Sequence, residues 1–207
     1  MEQQLRHPLK EIWFYPREAI KALQLSDYSG FIIPLAVLSG ITQGFSNNFA
    51  SEYFESLTSM LLVTLIVASI AGIIGIYVSA WLLSMTGKWL GGKASFNSLV
   101  ELSAWASLIQ VLMLPLLILL MILMGNGYVD SEYLMENPSG LVITLLLIFS
   151  LASIVVGIWS LVVMCVGISE LQGFSILRAL ANILLFLVIF VAVVVALSEF
   201  FKMFSPY

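Results

Sequence analysis

Five long apolar runs, separated by short polar gaps, account for most of this 207-residue chain. Runs of that length and polarity read as helices that cross a membrane, because a backbone surrounded by hydrocarbon must satisfy its amides and carbonyls internally. Charged residues make up 10% of the chain, against roughly 25% in soluble domains, and they collect in the gaps and at the run ends. With 61% hydrophobic residues, the outer surface has to face lipid. The fold class expected is all-α: a polytopic transmembrane bundle of five helices with a short cytosolic amphipathic N-terminal helix. Residues 1–29 form the amphipathic segment and residues 30–207 a single membrane domain, with no length left for a soluble one. The spans are placed at 30–45, 57–85, 99–124, 141–168 and 176–201. At 1.5 Å per residue, spans two to four come to roughly 40 Å against a hydrocarbon core of ~30 Å. They are expected to tilt, kink or project beyond it.

Basic residues set the orientation. Arg6, Lys10, Arg17 and Lys21 precede span one, Lys88 and Lys93 lie between spans two and three, and Arg178 joins spans four and five. Seven of the eight basic residues therefore fall on one side, with Lys202 the exception. The opposite loops carry Glu52, Glu55, Asp130, Glu132 and Glu136. This asymmetry predicts a cytosolic N-terminus and an extracytosolic C-terminus. The first thirty residues show no cleavable signal pattern, so the first span is expected to target the chain. Trp13, Trp81, Trp89 and Trp105 read as aromatics of the cytosolic interface, and Trp159 as a packing residue. Cys165 sits in an apolar run and reads as a buried structural thiol.

Before span one, Leu9, Ile12, Trp13, Pro16, Ile20 and Leu23 share one helical stripe, with Lys10, Arg17 and Lys21 on another face. Pro16 suits a first helical turn. The expected element is an interfacial helix carrying Trp13, Pro16 and Arg17, its stripe in the membrane surface; a helix that binds a partner is the alternative. Small residues mark packing seams inside the bundle. Thr64, Ala68, Gly72, Gly75 and Ser79 form one stripe in span two. Ser150, Ser153, Gly157, Ser160, Met164 and Gly167 form another in span four. Close helix packing is the first reading, and a lined substrate path the second. Pro115 is expected to kink span three.

Ionisable and amide side chains at membrane depth are candidates for function. Glu101, Gln110, Glu170, Arg178 and Asn182 are assigned to one polar cluster on the cytosolic side. It reads as an ion-pair network fixing helix registry, so that Glu170→Gln or Arg178→Ala would lower folding yield; a proton- or ligand-coupled site is the alternative. No charge falls at the midplane of any span. Catalytic constellations are missing from the sequence: His7 is the only histidine, and no GxxxxGK[ST] or GxGxxG phosphate motif occurs. Asp130-Ser131-Glu132 lacks the spacing of a calcium loop. Gly91-Gly92 beside Lys88 and Lys93 reads as a basic turn touching anionic headgroups. No enzyme activity, cofactor, metal or nucleic-acid partner is expected.

Three segments resemble the Yip1-domain family, in particular its bacterial members. They are Ile12-Trp13-Phe14-Tyr15-Pro16-Arg17-Glu18-Ala19-Ile20, then Gly87-Lys88-Trp89-Leu90-Gly91-Gly92-Lys93-Ala94-Ser95-Phe96 with Ala104-Trp105-Ala106-Ser107, then Gly167-Ile168-Ser169-Glu170-Leu171-Gln172-Gly173-Phe174-Ser175 with Arg178-Ala179-Leu180. Eukaryotic members carry Asp-Leu-Tyr-Gly-Pro before span one. Here Asp27-Tyr28-Ser29-Gly30 stands there, and Pro34 follows four residues later. The resemblance implies the five-span fold, its topology and a bacterial plasma membrane. Two functions remain in view. One is a non-enzymatic scaffold or accessory subunit that works with membrane lipids and a membrane-protein partner or a second copy. The other is a small transporter, channel or lipid-handling protein. A hydrated cavity touching Gln110, Asn182 and Glu101 would favour transport, and a dry bundle with a flat outer groove the accessory role.

Overall fold

The computed structural model describes residues 8–25, 28–46, 56–128 and 139–204, and all regular structure among them is helical. Arg6, His7, Asp27 and the acidic loop residues Glu52, Glu55, Asp130, Glu132 and Glu136 lie outside the described residues. Two short helices, α1 (Pro8–Phe14) and α2 (Pro16–Leu25), lead through one 3-10 turn (Ser29–Phe31) into α3 (Ile32–Ser46). There follow α4 (Leu57–Trp89), α5 (Phe96–Val111), α6 (Leu114–Met124), a 3-10 turn (Gly125–Tyr128), α7 (Gly140–Gln172) and α8 (Ile176–Phe204). Four of the apolar segments are long enough to cross a membrane as single helices, and α5 with α6 makes a fifth span bent by 41°. The five-helix all-α bundle expected from the apolar runs is the fold observed.

Local chemistry sets the helix ends. Ser56 and Ser95 cap α4 and α5, each side-chain oxygen accepting the amide N–H three residues on, at 3.3 Å and 3.1 Å; this satisfies a donor the helix cannot. Pro16 opens α2 as expected. Pro115 sits in the first turn of α6, and the chain breaks just before it at Leu112–Met113, because proline offers no N–H and crowds the preceding turn. Helices α4 and α7 both continue four residues past their expected ends, to Trp89 and Gln172. At 33 residues each they are about 50 Å long, well beyond the hydrocarbon core.

Helix α5 is the central post. Leu102 to Ala106 are buried without interruption, enclosed by α3, α4 and α7. Trp105 is fully buried, with its ring centroid 5.8 Å from both Tyr28 and Phe31. The expectation of an interfacial Trp105 is therefore corrected: its helix has no lipid-facing side at that level. Trp81 and Trp89 are exposed, and Trp13 and Trp159 half-buried. Cys165 is a buried free thiol.

The two N-terminal helices also differ from expectation. Ile12, Ala19, Ile20 and Leu23 do not lie in lipid but join the core cluster that holds Trp105 and Ile168. Gly167 on α7 makes room for this. A Cβ there would come within 2.2 Å of Leu102 and 3.1 Å of Ile20.

Spans one and two meet backbone to backbone. A Cβ on Gly40 would lie 2.1 Å from the Ala68 carbonyl oxygen, and one on Gly72 would lie 2.2 Å from that of Ala36. At the other end of the bundle, Phe45, Met60, Leu117, Leu120, Met121 and Tyr128 form a second core. There the Tyr128 hydroxyl donates to the Phe45 carbonyl at the end of α3 (2.8 Å), and Asn126 accepts the first amide of α4 at Leu57 (3.0 Å).

Gly72→Ala is expected to destabilise the fold by about 1–3 kcal/mol or more, the cost of forcing a methyl into packed backbone. Gly75→Ala, three residues on and facing open space, is expected to leave stability unchanged or slightly raised. Thermal melting in detergent micelles compares them, and equal melting points would contradict the crossing.

Candidate functional site

The helix extensions of α4 and α7 meet at the end of the bundle that carries Arg17, Lys21, Lys88, Lys93 and Arg178, called here the basic end. Each helix stops at a glycine in left-handed backbone: Gly91 at φ 84° and Gly173 at φ 71°, a region costly for any side chain with a Cβ. After α4, Gly92 N–H bonds the Gly87 carbonyl (2.8 Å) and Gly91 N–H that of Lys88 (3.0 Å). After α7, Phe174 N–H bonds the Ser169 carbonyl (2.9 Å), and the Ser169 hydroxyl donates to the Phe174 carbonyl (2.7 Å). These are Schellman closures, which consume carbonyls a helix end leaves bare.

The two closures interlock through Gln172. Its side chain is 2% exposed and lies between two glycines of the other turn. A Cβ on Gly87 would fall 2.0 Å from its Nε2, and one on Gly92 would fall 2.1 Å from its Oε1. Oε1 accepts the Ala94 N–H at 3.0 Å, which fixes the chain as it turns into α5. One turn further along α8, Asn182 is fully buried. Its Oδ1 meets the Thr86 hydroxyl, and its amide donates to the Leu83 carbonyl (3.3 Å). Helix α2 closes the face from outside: Glu170 pairs with Arg17 at 3.2 Å and with Lys21 at 3.7 Å.

Between the helices, away from this clasp, lies a cleft of about 690 Å³ bounded by α3, α4, α5, α7 and α8. Its walls are chiefly apolar, with hydroxyls and amides of Ser39, Gln43, Ser103, Gln110 and Ser160 among them, and none of the described residues lining it is charged. Helix α8 packs through Ile189, and each residue from Val191 to Phe200 is exposed.

The residues singled out from sequence are distributed over these features. Of the five assigned to one polar cluster, Glu170 joins α2 to α7 and Asn182 joins α4 to α8. Glu101 is half-buried beside Ile20, Leu23 and Leu171, while Gln110 lines the cleft. Arg178 is exposed and makes no ion pair among the described residues. The structure does not gather the five. Glu101 and Gln110 are nine residues apart on α5, about 13 Å.

The small-residue seams divide as well. Ala68 and Gly72 pack against α3 as well as bordering the cleft, whereas Gly75 and Gly157 have open space beside them and, with Ser79 and Ser160, line the cleft. Ser153 lies 3.9 Å from the Met113 sulfur and bonds back to the Phe149 carbonyl. In the N-terminal segment, Arg17 is an ion-pair partner of Glu170, Pro16 starts α2, and Trp13 packs on the core. Sequence reasoning missed Gln172, Thr86 and Ser103. A glutamine at a helix end ordinarily reads as solvated, and only the flanking Gly87 and Gly92, brought near by the fold, reveal that it is gripped.

A family model described as the Yip1 domain matches residues 10–197. The match starts inside α1, so it takes in the docked N-terminal helices as well as the clasp. No curated protein and no solved structure matches the chain.

Gln172→Leu keeps the volume but leaves the Ala94 N–H without its acceptor, and is expected to cost about 1–3 kcal/mol. Glu170→Gln, at a partly exposed pair, is expected to cost no more than ~1 kcal/mol. Arg178→Ala is expected to stay within about 0.5 kcal/mol of the parent. Melting of the three variants in micelles tests the order, and a larger loss for Arg178→Ala than for Gln172→Leu would refute it.

Proposed function

The chain belongs to the Yip1-domain family, and from that premise we propose that it is a non-enzymatic scaffold or accessory subunit of a larger membrane assembly. The observation that carries this reading is the clasp at the basic end. Two turns interlocked through Gln172, roofed by α1 and α2 and pinned by Glu170, make a preorganised surface. Preorganisation is what a docking partner gains from, since less ordering is lost on binding.

That surface presents both apolar and basic groups. Phe14, Tyr15, Trp89 and Leu177 are exposed, and Lys88, Lys93 and Arg178 are exposed beside them. Aromatics with cationic neighbours suit the headgroup level of a bilayer and the juxtamembrane part of a partner. The charge asymmetry of the loops supports a cytosolic basic end and an extracytosolic C-terminus, and the likeness to bacterial family members supports a bacterial plasma membrane. The partner in this reading is another membrane protein or a second copy of this chain. Ion transport is less well supported than the scaffold: the cleft carries no charge among its described lining residues, and the basic end above it is packed shut.

A photo-crosslinking residue placed at Phe14 or Trp89 in native membranes is expected to capture a stoichiometric protein partner or a second copy. The same group at Val155 or Leu197, exposed on the apolar sides, is expected to capture lipid alone. Lipid adducts alone from all four positions would overturn the scaffold reading.

A further inference from the structure

The cleft has the shape and chemistry of a ligand site. It runs along α4 from Thr64 to Leu83, about 28 Å at 1.5 Å per residue. Its volume of about 690 Å³ falls within the roughly 300–1,000 Å³ of small-molecule pockets. Spread over that length, the mean section is about 24 Å², whereas a helix ~10 Å across, reduced by one water radius as that volume is, needs roughly 40 Å². A partner helix is too thick to seat in it, and a hydrocarbon chain is not.

One side chain inside it lacks a partner. Most hydroxyls within these spans return a hydrogen bond to their own helix, as Ser39, Ser107 and Ser153 do. Ser103 does not: the residue lines the cleft, and its Oγ is buried and meets no hydrogen-bond partner among the described residues. An unmet buried polar group is costly, and more so where water is scarce. Gln110, whose amide can donate and accept, lines the same cleft two turns deeper on α5. Ser103 and Gln110 lie about 10 Å and 21 Å along α5 from its first residue, Phe96. A charged headgroup drawn to that depth would be penalised heavily, so the group that meets them is neutral.

We infer that the cleft binds an uncharged lipid. Its chain lies along α4 and α8, one hydroxyl or ester carbonyl on it meets Ser103, and a second meets Gln110. This site adjoins the clasp at Leu83 but uses none of its exposed surface, so it stands or falls independently of the scaffold reading.

The test uses the full chain reconstituted in phosphatidylcholine vesicles with a diacylglycerol that carries a diazirine in one acyl chain. A phosphatidylcholine with the same diazirine serves as the second probe. The diacylglycerol probe is expected to label peptides containing Met164 and Phe186, and Ser103→Ala to reduce that labelling about fivefold, the effect of one ordinary hydrogen bond. Gly75→Leu and Gly157→Leu fill the cleft. Both glycines have open space for a Cβ, so these variants are expected to melt like the parent while losing the label. Equal labelling by the two probes, indifferent to Ser103→Ala, would mean bulk acyl chains fill the cleft and would overturn the proposal. Labels confined to the outer faces, or a membrane protein lost from the purified complex on Gly157→Leu in place of lipid, would overturn it too.

Discussion

In hydrocarbon, apolar helices have no solvent-driven reason to prefer one another over lipid, so whatever organises this bundle must come from fit and from polar ties. The structure uses both, in different places. Fit dominates in the middle, where Gly40 and Gly72 bring two backbones into direct contact and Gly167 lets Leu102 and Ile20 converge on α7. Ties dominate at the ends. Gln172, Asn182 and Glu170 join helices at one end, and Tyr128 and Asn126 bind α3 and α4 to the turn after α6 at the other.

Interrupting a span has a different effect in each half of the chain. Pro115 bends the third span and lets its second part reach the far core through Leu117, Leu120 and Met121. The glycines after α4 and α7 end two helices longer than a hydrocarbon core, and their last turns build a protein surface. Without the extra turn of α7, Arg17 and Lys21 of α2 would lose their partner Glu170. The packed basic end and the open middle thus arise from helices of unequal length and unequal contact.

Much of this was legible in the chain. Five apolar runs pointed to an all-α bundle of membrane-length helices, Pro16 and Pro115 marked a start and a break, and three local motifs pointed to the family. What escaped shares one physical cause: a side chain's environment depends on which neighbour faces it, and periodicity along one helix does not say. Trp105 has the composition of an interface residue but stands at the centre of the bundle. Ile20 looks ready for lipid but finds Gly167. Gly75 and Gly157 share stripes with true packing residues, yet they face the cleft, with open space where a Cβ would sit. Gln172 looked like an end and proved to be a key.

The asymmetry of α8 has a mechanical consequence. Its first part is held near Asn182, and each residue from Val191 to Glu199 is exposed, so that stretch is levered from a single root. From Asn182 to Glu199 is about 25 Å, and a rotation of about 5° at the root would carry that point by roughly 2 Å. The opening of the cleft toward lipid is therefore governed by an angle, set at the same few hydrogen bonds that close the opposite end.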